Sequence, residues 1–226
     1  TDLIDNNTDE RTRYLADISF DGNKYAFITD KTVNQVYKYD VQGFFNNDTS
    51  IEFKRYLVKT IGGLGSANQT SKFNAPTVVG ASPTNVLVYN SNTNIIKVYN
   101  SDFIFQKNIT LSIKPEYVVK DIGYRKINNH FYILVNNEIL MKTYFQEYDE
   151  SFTKINEWEF EDTEYLLDDE SLFVSFSFAE QDSNVLYALT NSRVFKKFIS
   201  KPDKTVATFS TNNFSGSVYP VWNLQG

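Results

Sequence analysis

The sequence predicts an all-β protein built from repeated four-stranded units, the pattern of a β-propeller. Three observations support this prediction. Short apolar runs dominate, and they are rich in β-branched and aromatic residues and bounded by polar turn residues. Helical periodicity is almost absent. A strand–turn–strand module recurs four times along the 226 residues.

The recurring module consists of a buried-type strand, a short polar turn and a second strand. Its four copies span residues 24–40, 85–100, 130–145 and 184–199. The first strand of each copy is predicted to end at Asp30, Asn90, Asn136 and Asn191. The second strand is predicted to have near its start Val36, Ile96, Ile139 and Val194. Asn and Asp suit these turns because their side chains bond nearby backbone N–H groups and tolerate left-handed geometry.

One further strand is predicted before each module and one after it, which gives four strands per unit. The preceding strands are 14–20, 77–79, 118–122 and 172–176, and the following strands are 53–58, 103–105, 155–160 and 205–209. Asp21-Gly22 is a strong hairpin signal between the first two strands of the first unit. The predicted blades therefore cover residues 11–61, 62–113, 114–162 and 163–212.

Residues 213–226 are predicted to begin another blade or to close the ring, because 218–224 have the pattern of an inner strand. Four blades rarely close a ring of this kind, so we expect a single propeller domain or part of a larger one. A β-sandwich also contains many short strands and is the alternative architecture. Sandwich strands usually recur without a fixed multi-strand unit, which favours the propeller.

The second unit resembles the NHL-type propeller repeat. In that family a Gly-rich turn leads through Phe-Asn-x-Pro to a strand ending in Asp, followed by Asn and Arg. Here the turn is Gly62-Gly63-Leu64-Gly65, and Phe73-Asn74-Ala75-Pro76 follows. Asn90 replaces the Asp, Asn94 keeps the Asn, and Ile95 stands where the Arg would be. The resemblance covers residues 62–100 and implies the fold; it implies no particular function, because propellers host many unrelated activities.

Composition and charge exclude several classes of protein. With 41% hydrophobic residues, 19 Phe and 15 Tyr, the chain is not globally disordered. A net charge of −6 and scattered basic residues argue against general binding to nucleic acid. The absence of cysteine excludes disulfides, thiolate zinc sites and cysteine nucleophiles. No run approaches the roughly 18 apolar residues of a membrane span, so membrane insertion is not expected.

No catalytic motif is apparent, and we predict no catalytic residue, cofactor or metal site. The one histidine, His130, heads a central strand and aligns with ordinary positions of the other units. The densest acidic stretch, residues 157–170, matches no calcium loop, and an acidic outer strand and loop is the favoured interpretation. Binding of Ca²⁺ by this stretch stays open, and catalysis by its carboxylates is disfavoured.

Aromatic residues suggest where the protein meets partners. The tyrosines that recur on the third strands are predicted to pack between blades. Aromatic side chains in loops are better candidates for an interface, namely Phe44, Phe45 and Phe214.

These observations predict a rigid, non-enzymatic scaffold or binding platform whose partners are other protein subunits. Within that class the best match is a structural component of a large assembly such as a phage virion tail or baseplate, by analogy of composition. The alternative is a secreted or cell-surface module that binds carbohydrate or protein, which would make the protein extracellular. A hydrolase or lyase is disfavoured, because the chain has one histidine and no cysteine.

Overall fold

The computed structural model describes residues 14–46, 53–111, 116–160, 172–178, 185–191, 195–200, 208–212 and 221–223. Side chains are described for these residues except 53, 54, 160 and those from 195 onward. The chain divides into two compact units, Thr1–Ser112 and Ile113–Gly226. Each unit contains two antiparallel sheets, and the sheets are numbered here in chain order.

The first unit holds sheets 1 and 2. Sheet 1 consists of β1 (Leu15–Phe20), β2 (Tyr25–Asp30), β3 (Gln35–Asp40) and β4 (Leu57–Gly62). Between β3 and β4 lie the short helix α1 (Val41–Asn46) and a 3-10 helix (Phe53–Tyr56). Sheet 2 consists of β5 (Pro76–Ala81), β6 (Asn85–Asn90), β7 (Ile95–Asn100) and β8 (Phe105–Thr110).

The second unit holds sheets 3 and 4. Sheet 3 consists of β9 (Tyr117–Arg125), β10 (His130–Asn137), β11 (Lys142–Tyr148) and β12 (Lys154–Phe160). Sheet 4 consists of β13 (Phe173–Phe178), β14 (Val185–Thr190), β15 (Phe195–Ser200), β16 (Thr208–Asn212) and β17 (Val221–Asn223). In every sheet the strands follow one another in chain order, so each sheet is an antiparallel meander.

Residues 213–226 were predicted to begin another blade or to close the ring. Of these, Val221–Asn223 forms β17, which pairs with β16 of sheet 4 through three residues. The outer strands β4, β8 and β12 each have a register irregularity against the neighbouring third strand. The pairing of β16 with β15 is regular. Bulges twist and interrupt a strand edge, so the regular edge of β16 is the one suited to accept a fifth strand.

Three of the predicted outer strands begin later than expected. Residues 53–56 form the 3-10 helix, and β4 begins at Leu57. β8 begins at Phe105, because Asn100 accepts backbone N–H bonds from Asp102 and Ile104 and closes a turn there. In sheet 4, β16 covers Thr208–Asn212.

The turns between second and third strands explain why Asp and Asn recur there. In sheet 1 the Asp30 carboxylate accepts backbone N–H bonds from Thr32 at 2.9 Å and from Val33 at 3.3 Å. Asn34 closes this turn with a φ of 57°, and Asn94 closes the equivalent turn of sheet 2 with a φ of 53°. Because Asn tolerates left-handed geometry, the local sequence is sufficient to specify both turns.

In sheet 3 the corresponding turn lies one residue later than predicted. Asn137, and not Asn136, accepts its backbone N–H bonds, from Ile139 at 3.0 Å and from Leu140 at 2.9 Å. Ile139 was expected near the start of β11, but it lies in the turn with 77% of its surface exposed. The side chain of Asn136 is buried and donates to the Phe173 carbonyl of sheet 4 at 2.8 Å. Packing against the next sheet thus decides between two adjacent asparagines.

In sheet 4 the displacement is in the opposite direction. β14 ends at Thr190, one residue earlier than predicted, and Asn191 lies just beyond it. The Asn191 side chain accepts a hydrogen bond from the backbone N–H of Leu172 at 3.0 Å. The backbone N–H of Asn191 donates to the Leu172 carbonyl at 2.8 Å. Val194 lies outside the described residues.

Apolar side chains fill the space between the paired sheets. In the first unit the buried cluster is Phe27, Val36, Phe73, Val79, Ala81, Val86, Val88, Tyr99 and Phe103. In the second unit it is Tyr132, Leu134, Phe145, Phe173, Phe176, Leu186 and Ala188. The rings meet mostly edge to face, as for Phe27 and Phe103, whose centroids are 5.5 Å apart.

An aspartate on an inner strand also links the sheets of each pair. Asp17 on β1 accepts the backbone N–H of Val79 on β5 at 2.8 Å. Asp121 on β9 accepts the backbone N–H of Phe176 on β13 at 2.8 Å and the Ser175 hydroxyl at 2.7 Å. Burial raises the pKa of Asp121. The same arrangement in both units indicates a repeated way of packing one sheet on the next.

Candidate functional site

The connection between β3 and β4 is the main irregularity of the first unit. It covers residues 41–56, whereas the equivalent connection covers 101–104 in sheet 2 and 149–153 in sheet 3. Insertions of this kind are where rigid scaffolds commonly place binding residues. We call residues 41–46 and 53–56 the aromatic insertion, since residues 47–52 lie outside the described part of the chain.

Local hydrogen bonds fix the start of the aromatic insertion. The Asp40 carboxylate accepts the backbone N–H of Gly43 at 2.6 Å and lies 3.0 Å from the Lys24 ammonium. Burial would raise the pKa of Asp40, but the bonds from Gly43 and Lys24 outweigh it and lower the pKa. A Cβ atom at position 43 would lie 2.9 Å from Asp40 Cγ, so a larger residue here would require the Asp40 carboxylate to shift.

The insertion presents a cluster of three aromatic rings. The Phe44 ring packs edge to face against Phe45 at 5.3 Å and against Tyr56 at 5.5 Å. Phe44 and Tyr56 are half-buried, whereas 71% of Phe45 is exposed. The exposed ring of Phe45 therefore packs on Phe44, and Tyr56 supports Phe44 in turn, which limits the rotamer freedom that Phe45 would lose on binding.

Two of the three interface candidates predicted from the sequence lie in the described part of the chain. Phe44 and Phe45 come together on α1, and Tyr56, which was not predicted as a candidate, packs against Phe44. Tyr56 was expected within an outer strand, and its place in a 3-10 helix is what brings its ring to Phe44. Phe214 lies outside the described residues.

The acidic stretch is described only in part. Glu157 and Glu159 lie on β12, and residues 161–170 lie outside the described part of the chain. Glu157 accepts bonds from Gln146 at 2.7 Å and Lys154 at 2.8 Å, and Glu159 pairs with Lys142. Within the described ranges, no group of three or more His, Cys, Asp or Glu side chains could hold a metal ion.

A second cluster of polar side chains surrounds Glu147 on β11, between sheets 3 and 4. Its Oε1 accepts bonds from His130 Nδ1 at 2.7 Å, the Tyr132 hydroxyl at 2.6 Å and Asn128 Nδ2 at 3.2 Å. Its Oε2 accepts Asn156 Nδ2 at 2.6 Å. Because an ionised carboxylate only accepts hydrogen bonds, Nδ1 of His130 carries the proton.

These contacts shift the pKa values of the cluster in a consistent way. Burial would raise the pKa of Glu147, but the bonds from His130, Tyr132 and Asn156 outweigh it and lower the pKa. Burial, together with the bond to Glu147, raises the pKa of Tyr132 to about 12. A carboxylate held by four donors has little capacity left to take a proton from a substrate, so the arrangement suits a structural role.

Sequence reasoning missed the Glu147 cluster. It treated His130 as an ordinary position at the start of a strand, and β10 does begin there. Glu147 is 17 residues away in the chain, and only the pairing of Tyr132 with Glu147 across β10 and β11 brings the groups together. The register of the β10–β11 hairpin was the signal that could have revealed the Glu147 cluster. Because the turn was predicted one residue too early, the predicted register was wrong.

Comparisons with known proteins identify the fold. No protein-family model and no curated protein matches the chain. A hydrazine synthase of Kuenenia stuttgartiensis superposes with a TM-score of 0.51 at 12% identity, covering 97% of this chain and 53% of that chain. A chain from the crystal structure of a nidogen/laminin complex gives a TM-score of 0.56 at 9% identity, covering 94% and 76%. This chain therefore spans about half the length of the hydrazine synthase chain.

Both neighbours are β-propeller proteins, and the chain is accordingly an all-β propeller protein with four-stranded blades. At 9% and 12% identity the likeness concerns the fold alone. Among the helices of the described residues, none has the length and apolar character needed to cross a membrane.

Proposed function

We propose that the protein is a non-enzymatic binding platform, and that the aromatic insertion contacts another protein subunit. The observation that supports this most directly is Phe45, which is 71% exposed and packs against Phe44, which in turn packs against Tyr56. Aromatic side chains dominate the energetics of protein interfaces, and a pre-positioned ring loses little entropy on binding. The saturated Glu147 carboxylate is consistent with the absence of catalysis.

Within this class we propose a structural component of a large assembly such as a phage virion tail or baseplate. Support comes from the aromatic-rich, cysteine-free and helix-poor chain together with its propeller fold, which is an argument by analogy. We also propose that residues 62–100 form a propeller repeat of the NHL type.

The test is photo-crosslinking from position 45 in the cells that make the protein. Benzoylphenylalanine replaces Phe45, and in a matched control it replaces Ile104, which is 62% exposed in the equivalent connection of sheet 2. We expect crosslinks to one protein subunit from position 45 and background from position 104. Binding of the purified subunit should then fall about 10-fold or more with Phe45→Ala and less than about 2-fold with Ile104→Ala.

A carbohydrate could also stack on an exposed ring such as Phe45. This second candidate predicts binding on a glycan array that disappears in Phe45→Ala, with no protein crosslink from position 45. Equal crosslinking from both positions, together with an empty glycan array, would contradict the assignment of this surface.

A further inference from the structure

The turn between β10 and β11 differs from its counterparts in exposing apolar side chains. We call residues 138–141 the apolar turn. Ile139, Leu140 and Met141 are 77%, 58% and 38% exposed. The equivalent turns read Lys-Thr-Val-Asn at 31–34 and Ser-Asn-Thr-Asn at 91–94. Polar residues therefore suffice to build this turn, so the apolar side chains are not required by the fold.

The backbone of the apolar turn indicates that its sequence is unfavourable for local structure. Met141 has a φ of 53°, in the left-handed region where the other two turns have Asn34 and Asn94. A methionine there is strained relative to asparagine or glycine. Backbone strain that is not offset by packing of the same side chain is a reason to look for a function of that residue.

Other bulky residues with positive φ in this chain gain packing in return. Phe103 and Phe152 have φ values of 59° and 60°, and they are only 7% and 9% exposed. Their rings pack against neighbouring rings, Phe27 for Phe103 and Phe131 for Phe152. Met141, in contrast, leaves much of its side chain in solvent, so burial within its own turn does not offset the strain.

Charges around the apolar turn are paired with one another. Glu138 bonds to Lys120 at 2.5 Å, and Lys142, which follows the turn, pairs with Glu159. The base of the turn therefore shows no excess positive charge of the kind that attracts anionic lipids or nucleic acid. The Asn137 side chain also holds the backbone of Ile139 and Leu140, which keeps the turn in one shape.

We propose that the apolar turn is a second docking site, which inserts Ile139, Leu140 and Met141 into an apolar pocket of a partner protein. A rigid, protruding and locally neutral apolar tip fits such a pocket, and contact with a partner would bury the exposed surface that the fold leaves in water. The site belongs to the second unit, and its existence does not depend on the aromatic insertion of the first.

Met141 is the one methionine among these 226 residues, so photo-methionine at this position reports on the centre of the site. Crosslinking is carried out in the cells that make the protein, and the attachment points on the crosslinked molecule are mapped. We expect attachment to apolar pocket residues of one protein. No crosslink above background, a crosslink to lipid, or attachment scattered over charged surfaces would each overturn the proposal.

A turn exchange tests whether the side chains themselves bind. The variant Glu138→Ser, Ile139→Asn, Leu140→Thr and Met141→Asn carries the natural sequence of the sheet 2 turn, so it should fold. Its matched control introduces the same sequence in sheet 1 by Lys31→Ser, Thr32→Asn and Val33→Thr. We expect affinity for the crosslinked protein to fall about 30-fold or more in the first variant and less than about 2-fold in the second.

Unchanged binding by the exchanged turn would refute the proposal, provided that circular dichroism shows both variants folded. Failure of this site and failure of the aromatic insertion are distinguishable. A crosslink from position 45 without one from position 141 supports the proposed function and refutes the second site. A crosslink from position 141 without one from position 45 supports the second site and refutes the role of the aromatic insertion.

Discussion

The third strands of sheets 2 and 3, β7 and β11, bury side chains of opposite charge. In the first unit the buried charge on β7 is a cation, Lys97, which is 1% exposed. Its ammonium donates to the backbone carbonyls of Gln69 and Lys72, each at 2.6 Å, and to that of Ser66 at 3.4 Å. In the second unit it is an anion, Glu147, held by donors from four side chains.

The difference lies in what satisfies each charge. The partners of Lys97 are backbone carbonyls in the loop that leads from β4 to β5, and backbone groups do not titrate. Lys97 therefore fixes the conformation of a loop, with help from Tyr99, whose hydroxyl donates to the Thr70 carbonyl at 2.5 Å. Glu147 joins side chains of three strands and a turn, and these donors lower its pKa. We therefore expect the contacts of Glu147 to respond to acid, whereas the backbone partners of Lys97 do not.

The largest loss of stability is expected when the buried cation Lys97 is replaced. Lys97→Met keeps the length of the side chain but removes the donor of the Lys72 carbonyl and one of the two donors of the Ser66 and Gln69 carbonyls. The free energy of unfolding should fall by about 3 kcal/mol, because unsatisfied buried polar groups are costly. Urea denaturation followed by circular dichroism measures the change. Lys126→Met, at an exposed lysine in the β9–β10 turn, is the control and should change stability by less than about 0.5 kcal/mol. Similar values for the two variants would show that Lys97 does not hold the loop.

The anion gives a smaller effect that depends on pH. The folded pKa of Glu147 lies below its ordinary value of 4.5. Between these two values the unfolded chain binds more protons than the folded chain, so acid favours unfolding. The stabilisation is complete above the ordinary value and is lost as the pH falls through the folded pKa.

Glu147→Gln removes the ionisable carboxyl group. It also replaces one carboxylate oxygen, which accepts hydrogen bonds, by an NH₂ group that would face the donors now bonded to Glu147. We expect a loss of about 2 kcal/mol at pH 7. We also expect the difference from the natural protein to shrink as the pH falls through the folded pKa of Glu147. Urea denaturation at pH 7, 5, 4 and 3 checks both expectations. A difference that stays constant with pH would mean that the Glu147 carboxylate is not stabilised in the folded state.

The smallest changes in stability are expected in the equivalent turns of the two units, at Met141 and Asn94. Met141→Asn relieves a left-handed methionine and should stabilise the protein by about 0.5 kcal/mol. Asn94→Met imposes the same geometry on sheet 2 and should destabilise it by about 1 kcal/mol. Thermal unfolding of both variants measures the pair. Changes of the same sign would show that the φ at these positions does not govern turn stability.

Local chemistry was enough to predict much of the fold. Apolar alternation located nearly all of the strands, and Asp30 and Asn90 located their turns, because a strand face and an Asx turn are both determined by neighbours in sequence. The aromatic pair Phe44 and Phe45 was also found from sequence, since its residues are adjacent. Tyr56 was not, because its contact with Phe44 depends on how the chain folds back between β3 and β4.

By itself, then, the sequence determined the all-β class, the four-stranded repeat and the turns in which Asp or Asn has no competing neighbour. Tertiary structure decided which of Asn136 and Asn137 makes a turn, that residues 221–223 add to an existing sheet, and that Glu147 meets His130. The physical reason is range: hydrogen bonds within a turn act over a few residues, whereas burial against a neighbouring sheet depends on register and on side chains far away in the chain.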